Sequence, residues 1–192
     1  MNEELLKEIK GLIPYIAIAL IAVGGYYGVK HHIETKKIEA SSEVVNALTV
    51  EELEGAVTEY GSTATGPVLK MRLAKQYFDA GRYEEALAQY EELEKTPAEG
   101  FEDVPVVGKA QALEAMGKYD EALAIFEKFA AEKPNHYLTL TAQLGAARCT
   151  CEKGDKDAAL KKIATLKEAA TDAISKSRID VTEDCIKRYV KK

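Results

Sequence analysis

Apolar residues recur at helical spacing through most of the chain. Between residues 49 and 61 they follow an i, i+3, i+4, i+7 pattern, at Leu53, Ala56, Val57 and Tyr60. This spacing is typical of one face of an amphipathic helix, and Gly61 is placed to end that helix. The preceding Thr49-Val50-Glu51-Glu52 has the form of a capping box, in which a Thr hydroxyl and a Glu carboxylate bind backbone N–H groups. The sequence therefore predicts a helix that begins at about residue 50.

Three similar stretches follow: GRYEEALAQY, GKYDEALAIF and GDKDAALKKI, which begin at Gly81, Gly117 and Gly154. The spacings between these glycines are 36 and 37 residues. A glycine can end a helix in a left-handed turn, and small and aromatic residues let two helices pack closely. Each unit should thus form a helix, a turn and a second helix. The predicted packing residues are Ala74, Tyr77, Gly81, Ala86, Tyr90, Ala110, Leu113, Gly117, Ala122, Phe126, Gly154 and Ala159.

These units resemble tetratricopeptide repeats, whose usual period is 34 residues, over residues 66–166. The third unit departs from the others because Lys156 stands where they have Tyr83 and Tyr119. A single helix pair cannot bury both of its faces, so the units must stack and a terminal helix must cap them. We assign that cap to residues 171–190, on the apolar positions Ile174, Val181, Cys185, Ile186 and Tyr189.

An uncharged stretch from Gly11 to Val29 lies near the N-terminus. At about 1.5 Å per residue it would be about 28 Å long as a helix, close to the hydrocarbon thickness of a bilayer. The acidic leader MNEELLKEIK favours a retained transmembrane helix over a cleaved signal peptide. The predicted fold is all-α, with a transmembrane helix followed by a solenoid of about three helix pairs and a C-terminal cap. The predicted divisions are a tail at 1–10, the membrane helix at 11–29, juxtamembrane helices at 30–62 and the repeat domain at 63–192.

With this membrane helix, the chain resembles single-span tetratricopeptide-like proteins related to the ancillary subunit of the bacterial Sec translocon. The resemblance implies an inner-membrane location, repeats that face the periplasm, and partners among Sec translocon subunits, chaperones or unfolded clients. The flanking lysines point the other way. Lys30, Lys36 and Lys37 follow the stretch, whereas Lys7 and Lys10 precede it, and the positive-inside rule then favours repeats in the cytoplasm.

In tetratricopeptide arrays the first helix of each unit lines a concave groove. The resemblance implies the groove positions Val68, Met71, Lys75, Phe78, Val104, Val107, Gln111, Glu114, Leu144, Arg148 and Cys151. A mixed apolar surface of this kind suits an extended or helical segment with hydrophobic anchors. The Lys and Asn of the family's carboxylate clamp are absent at positions 71 and 75, which disfavours chaperone C-terminal tails. The alternative that the N-terminal helices or the cap cover several of these side chains stays open.

Composition and motifs exclude several other functions. The formal net charge is −6, so a basic surface for nucleic acid is not expected. The sequence has no phosphate-binding loop, dinucleotide fingerprint, nucleophile elbow or metal-ligand cluster, and the histidines are scattered, so we expect no cofactor, no metal and no enzyme. Cys149 and Cys151 point to different helix faces and are expected to be buried hydrophobic residues, with a disulfide from one of them to Cys185 left open.

The sequence as a whole predicts a membrane-anchored, non-catalytic adaptor that binds proteins and is associated with export or chaperoning. The alternative is a scaffold for the assembly of a secretion, pilus or division complex, with repeats that face the cytoplasm. In the adaptor the repeat surface would bind client segments. In the scaffold it would form one fixed interface.

Overall fold

The structure, a computed structural model, describes residues 24–35, 49–96 and 98–189. The regular secondary structure of these residues is entirely helical. The described part of α1 covers residues 24–35. The other helices are α2 (Val50–Tyr60), α3 (Gly66–Asp79), α4 (Tyr83–Lys95), α5 (Asp103–Ala115), α6 (Tyr119–Glu132), α7 (Thr139–Glu152), α8 (Lys156–Ala169) and α9 (Ala173–Arg188).

The membrane-spanning part of the predicted fold is wrong. Over the described residues, no helix has both the length and the apolar character needed to cross a bilayer. The described part of α1 contains Lys30, His31, His32 and Glu34, and charged side chains are costly in hydrocarbon. Residues 1–10 and 11–23, which include the predicted tail and most of the predicted membrane helix, lie outside the described residues.

The start of α2 confirms the predicted capping box. The Glu52 backbone N–H donates to Thr49 Oγ1 at 3.2 Å, and the Thr49 N–H donates to Glu52 Oε2 at 3.0 Å. The helix buries Leu53, Ala56 and Tyr60 in the same core cluster as α3 and α4. Although α2 falls in the segment predicted as juxtamembrane, it packs as the first helix of the solenoid.

Each of the three repeat glycines ends the first helix of its pair. Gly81, Gly117 and Gly154 have φ values of +76°, +76° and +99°, in the left-handed region that glycine adopts without strain. At each turn the residue after the glycine donates its N–H back to a carbonyl five residues earlier, as in Arg82 to Tyr77 at 2.8 Å. This Schellman arrangement turns the chain directly into α4, α6 and α8.

The helices stack in two layers. Each of α2 to α9 packs against its neighbours in sequence, and α3, α5, α7 and α9 also contact one another in succession. Among the described helices, α2, α4, α6 and α8 make no such mutual contacts. The inner layer of the solenoid is therefore formed by α3, α5, α7 and α9, and α9 continues that layer as its terminal member.

Two glycines inside the inner-layer helices set how closely neighbouring pairs approach. A Cβ atom added to Gly108 would lie 2.5 Å from Cζ of Tyr90, and one added to Gly145 would lie 2.5 Å from Cε2 of Phe126. Both aromatic rings are buried, at 5% and 0% exposure. In both successive junctions, a buried aromatic residue from the second helix of one pair thus packs directly on a bare backbone in the next pair.

Replacing Gly145 with alanine should test this close contact. Overpacking of a core costs about 1–3 kcal/mol, and the better helix propensity of alanine offsets about 1 kcal/mol of it. We expect a net loss of about 1 kcal/mol in the free energy of unfolding, measured by urea denaturation followed by circular dichroism. Gly55 in α2 is the matched control, because an added Cβ meets no atom within 4 Å there. Gly55→Ala should stabilise the protein by about 0.5–1 kcal/mol, and equal shifts for the two variants would contradict the contact.

The predicted packing residues other than the three turn glycines lie in the core. Ala74, Ala86, Ala110, Ala122, Phe126 and Ala159 are fully buried, and Tyr77, Tyr90 and Leu113 are at most 7% exposed. The Tyr77 hydroxyl donates to Glu54 Oε1 at 2.7 Å, and the Arg82 guanidinium lies 4.4 Å from the Tyr77 ring centroid. Tyr77 thereby joins α2, α3 and the start of α4.

The cap helix uses the predicted Ile186, but the rest of its buried face differs from the one predicted. α9 buries Ile179, Thr182 and Ile186, whereas Ile174 and Val181 are 76% and 62% exposed. Lys156, the residue that departs from the repeat pattern, holds this helix in place. Its ammonium donates to the backbone carbonyls of Lys187 at 2.6 Å and Tyr189 at 3.2 Å. A cation at the C-terminus of a helix satisfies carbonyls that have no partner within that helix.

Candidate functional site

An open cavity of about 450 Å³ lies on the inner layer of the solenoid. Its walls come from α3, α5, α7 and α9, with one residue from the start of α6 and one that follows α9. We call it the inner cavity. The lining residues are Phe78, Gln111, Glu114, Ala115, Tyr119, Arg148, Cys151, Glu152, Cys185, Ile186 and Tyr189.

A bidentate ion pair forms part of the cavity floor. Arg148 Nε donates to Glu114 Oε1 at 2.6 Å, and Arg148 Nη2 donates to Glu114 Oε2 at 2.8 Å. The two side chains are 35% and 16% exposed. Although burial opposes the charge, the hydrogen bonds to Glu114 and its negative charge raise the pKa of the Arg148 guanidinium above its usual value. This pair links α5 to α7, and the guanidinium and the carboxylate both remain ionised.

A second polar group lies at the α9 end of the cavity. Burial and the neighbouring Glu152 carboxylate raise the pKa of the Tyr119 and Tyr189 hydroxyls, so both stay protonated at neutral pH. Two hydroxyl donors, one at the start of α6 and one that follows α9, thus lie beside one carboxylate at the end of α7. At the other side of the cavity, the Phe78 ring packs edge to face on Tyr83, with a centroid distance of 5.3 Å.

Residues 77–144 match the family model described as tetratricopeptide repeat. This part of the chain is similar to tetratricopeptide repeats. The match covers about a third of the chain, from the end of α3 to the first half of α7. Neither the search of curated proteins nor that of solved structures returned a match. Tetratricopeptide repeats are typically protein-interaction modules without catalysis, so this family supports a role in binding a protein partner.

The solenoid brings five of the eleven predicted groove residues to the inner cavity, namely Phe78, Gln111, Glu114, Arg148 and Cys151. The other six lie elsewhere, and two of them, Val68 and Val104, are half-buried outside the cavity lining. Met71 is half-buried against the first core cluster, and Lys75 is exposed and paired with Asp79. Val107 and Leu144 are 2% and 3% exposed and belong to the second and third core clusters.

Sequence reasoning missed the part of the cavity that the terminal helix supplies. Cys185, Ile186 and Tyr189 were assigned to the cap, and Tyr119 was noted only as a repeat residue, yet all four line the cavity. The replacement of the repeat tyrosine by Lys156 was the available signal. A lysine at that position can bind the end of α9, and this contact brings Tyr189 next to Glu152.

The cysteines take part as packing groups. Cys149 and Cys151 are buried, as predicted, and Cys185 is exposed. All three are free thiols. Burial raises the pKa of Cys149 to about 12 and that of Cys151 above its usual value, and a protonated, buried thiol is a poor nucleophile.

The remaining candidate chemistry is structural. His136 Nε2 lies 3.5 Å from Asp103 Oδ2, and the His136 ring packs on Phe129 and Tyr137 in the turn before α7. In the part of the chain that the structure describes, no group of three His, Cys, Asp or Glu side chains could hold a metal ion.

Proposed function

We propose that the chain is a non-catalytic adaptor that binds a segment of a partner protein in the inner cavity. The observation that carries this proposal is the cavity itself. About 450 Å³ of open space is bounded by aromatic rings and aliphatic side chains and contains a few fixed polar groups. This size and composition are typical of sites that receive one or two large side chains together with the backbone that carries them.

The walls of the cavity are held in place before a partner binds. The Arg148–Glu114 pair fixes α7 to α5, and Lys156 fixes the end of α9. A preorganised site loses less conformational entropy on binding than a flexible one. The supporting facts are therefore the geometry of the cavity and the general role of tetratricopeptide repeats.

The experiment places a photo-crosslinking amino acid at Gln111, inside the inner cavity, in the full chain in cells. A second variant carries the same group at Glu84, which is exposed on α4 outside the cavity. We expect specific protein adducts from position 111 and none of the same adducts from position 84. Ala115→Trp should reduce the adducts from position 111 about tenfold or more, because the indole would fill the cavity from an exposed position. Adducts that are equal from both positions, or insensitive to Ala115→Trp, would sink the proposal.

We also propose an association with protein export, which rests on the family resemblance of the sequence. Sec translocon subunits, chaperones or several unfolded clients among the adducts from position 111 would support it. A single stoichiometric partner would favour the assembly scaffold instead. A C-terminal reporter that is active only outside the cytoplasm tests the predicted inner-membrane location with periplasmic repeats.

A further inference from the structure

We propose that the inner cavity selects partner segments in which a lysine or an arginine stands beside a large apolar residue. This inference rests on the proposed function, because it names the chemistry of the segment that the cavity binds. It follows from the charges, the rings and the apolar walls of the cavity taken together.

Among the described residues, Arg148 is the one cation that lines the inner cavity, and it is already neutralised. Arg148 is held by both oxygens of Glu114, at 2.6 Å and 2.8 Å. A guanidinium with two short hydrogen bonds to one carboxylate has little capacity left for an acidic ligand. The described part of the cavity lining therefore offers no free cation to a negatively charged segment.

Glu152 leaves a negative charge in the cavity. Among the described residues it forms no ion pair, since the two nearest lysines in sequence are bound elsewhere. Lys153 pairs with Asp120, and Lys156 donates to the carbonyls at the end of α9. The neighbours of Glu152 in the cavity are the hydroxyls of Tyr119 and Tyr189, which are neutral donors. Among the described residues that line the cavity, the charged ones are Glu114, Arg148 and Glu152, and their charges sum to −1, so a cationic side chain would neutralise the lining.

The rings around Glu152 strengthen this preference. Tyr119 and Tyr189 stand beside the carboxylate, and Phe78 lines the cavity from α3. Aromatic faces attract ammonium and guanidinium groups, by about 0.5–1 kcal/mol at exposed sites. Cys151 and Ile186, at 2% and 3% exposure, supply apolar surface next to them. A cation beside an apolar side chain would use both kinds of surface at once.

The test is a selection from a random library of displayed short peptides on the purified full chain. Wild type, Glu152→Gln and Glu121→Gln are compared, with Ala115→Trp as the blocked cavity. Glu121 is exposed on α6 outside the cavity, so its variant makes the same charge change without touching the site. Circular dichroism confirms that each variant is folded. The dissociation constants of the selected peptides are then measured for each variant, together with versions in which the basic residue is glutamine.

We expect wild type and Glu121→Gln to enrich peptides with a basic residue next to a large apolar one. Glu152→Gln should bind these peptides about fivefold more weakly and should bind the glutamine versions as wild type does. Peptides that bind in the cavity with no preference for lysine or arginine, or with a preference that survives Glu152→Gln, would overturn this inference and leave the proposed function standing. Peptides whose binding is unchanged by Ala115→Trp, or no enriched peptides at all, would overturn both.

Discussion

Replacing Phe126 with alanine should lower the free energy of unfolding by about 3–5 kcal/mol, the largest stability effect that we expect from one core residue. Phe126 is the largest fully buried side chain of the described residues and belongs to the second core cluster, which joins α5, α6 and α7. Its removal loses the transfer free energy of the ring and leaves a cavity, because the neighbouring helices are held by further contacts on both sides. Urea denaturation followed by circular dichroism gives the change.

The contact with Gly145 makes this prediction more specific. In the Phe126→Ala background the space that the ring occupied is free, so Gly145→Ala should no longer meet a steric clash. We then expect the second substitution to be neutral or to stabilise the protein by up to about 1 kcal/mol, although it is destabilising in wild type. Additive effects of the two substitutions would show that the ring and the glycine do not determine each other's packing.

The local features of the fold could be predicted from the sequence because short-range physics determines them. The capping box of Thr49 and Glu52 needs only residues three apart, and the turn at Gly81 needs only a residue that tolerates positive φ. The 36-residue spacing reveals the repeat, since each unit needs a turn glycine and packing residues at similar positions. A short stretch of sequence is therefore enough to recognise these features.

The close contact of Phe126 with Gly145 could not be predicted from a short stretch of sequence, because the two residues lie on different helices. The glycine is mid-helix, where its propensity is poor, and only the ring that packs on it from the preceding pair explains why glycine stands there. The face of α9 was also predicted only in part, since Ile186 is buried as expected but Ile174 and Val181 are not. Ile174 and Val181 share helical spacing with Cys185, but the helix turns Ile179 and Ile186 toward α7 and α8 instead. Two apolar stripes on one helix cannot be ranked without the surface on which the helix packs.

The membrane prediction failed for a related reason. The hydropathy argument considered only the uncharged stretch that ends at Val29. The described part of α1 continues past Val29 through charged and polar residues, and no described helix is long and apolar enough to cross a membrane. The inner cavity was missed for another reason: the residues that form it are far apart in the sequence. Tyr189 lies far from Tyr119 in the chain, and the contact of Lys156 with the end of α9 brings both tyrosines beside Glu152.

Glu114→Leu should have the second large effect, a loss of about 2 kcal/mol in the free energy of unfolding. It leaves the Arg148 guanidinium without either of its two carboxylate hydrogen bonds at a site where the side chain is only 35% exposed. Partial access to water keeps the penalty below that of a fully buried charge. The measurement is urea denaturation at constant salt. The matched control is Lys75→Met, which removes one partner of an exposed pair with Asp79 and should change the stability by less than about 0.5 kcal/mol.

The double variant Glu114→Leu/Arg148→Met separates the cost of an unpaired charge from the value of the pair. Replacing a buried ion pair with apolar residues of similar volume is often neutral, so we expect the double variant to recover most of the loss caused by Glu114→Leu alone. If the double variant is as unstable as the sum of the two single variants, the pair contributes through its own hydrogen bonds rather than by avoiding a bare charge.

The single variant also changes the inner cavity, because the freed Arg148 offsets the charge of Glu152. Glu114→Leu should therefore weaken the binding of basic peptides even under conditions where the solenoid remains fully folded, and the double variant, which keeps Glu152 as the cavity's remaining charge, should restore it.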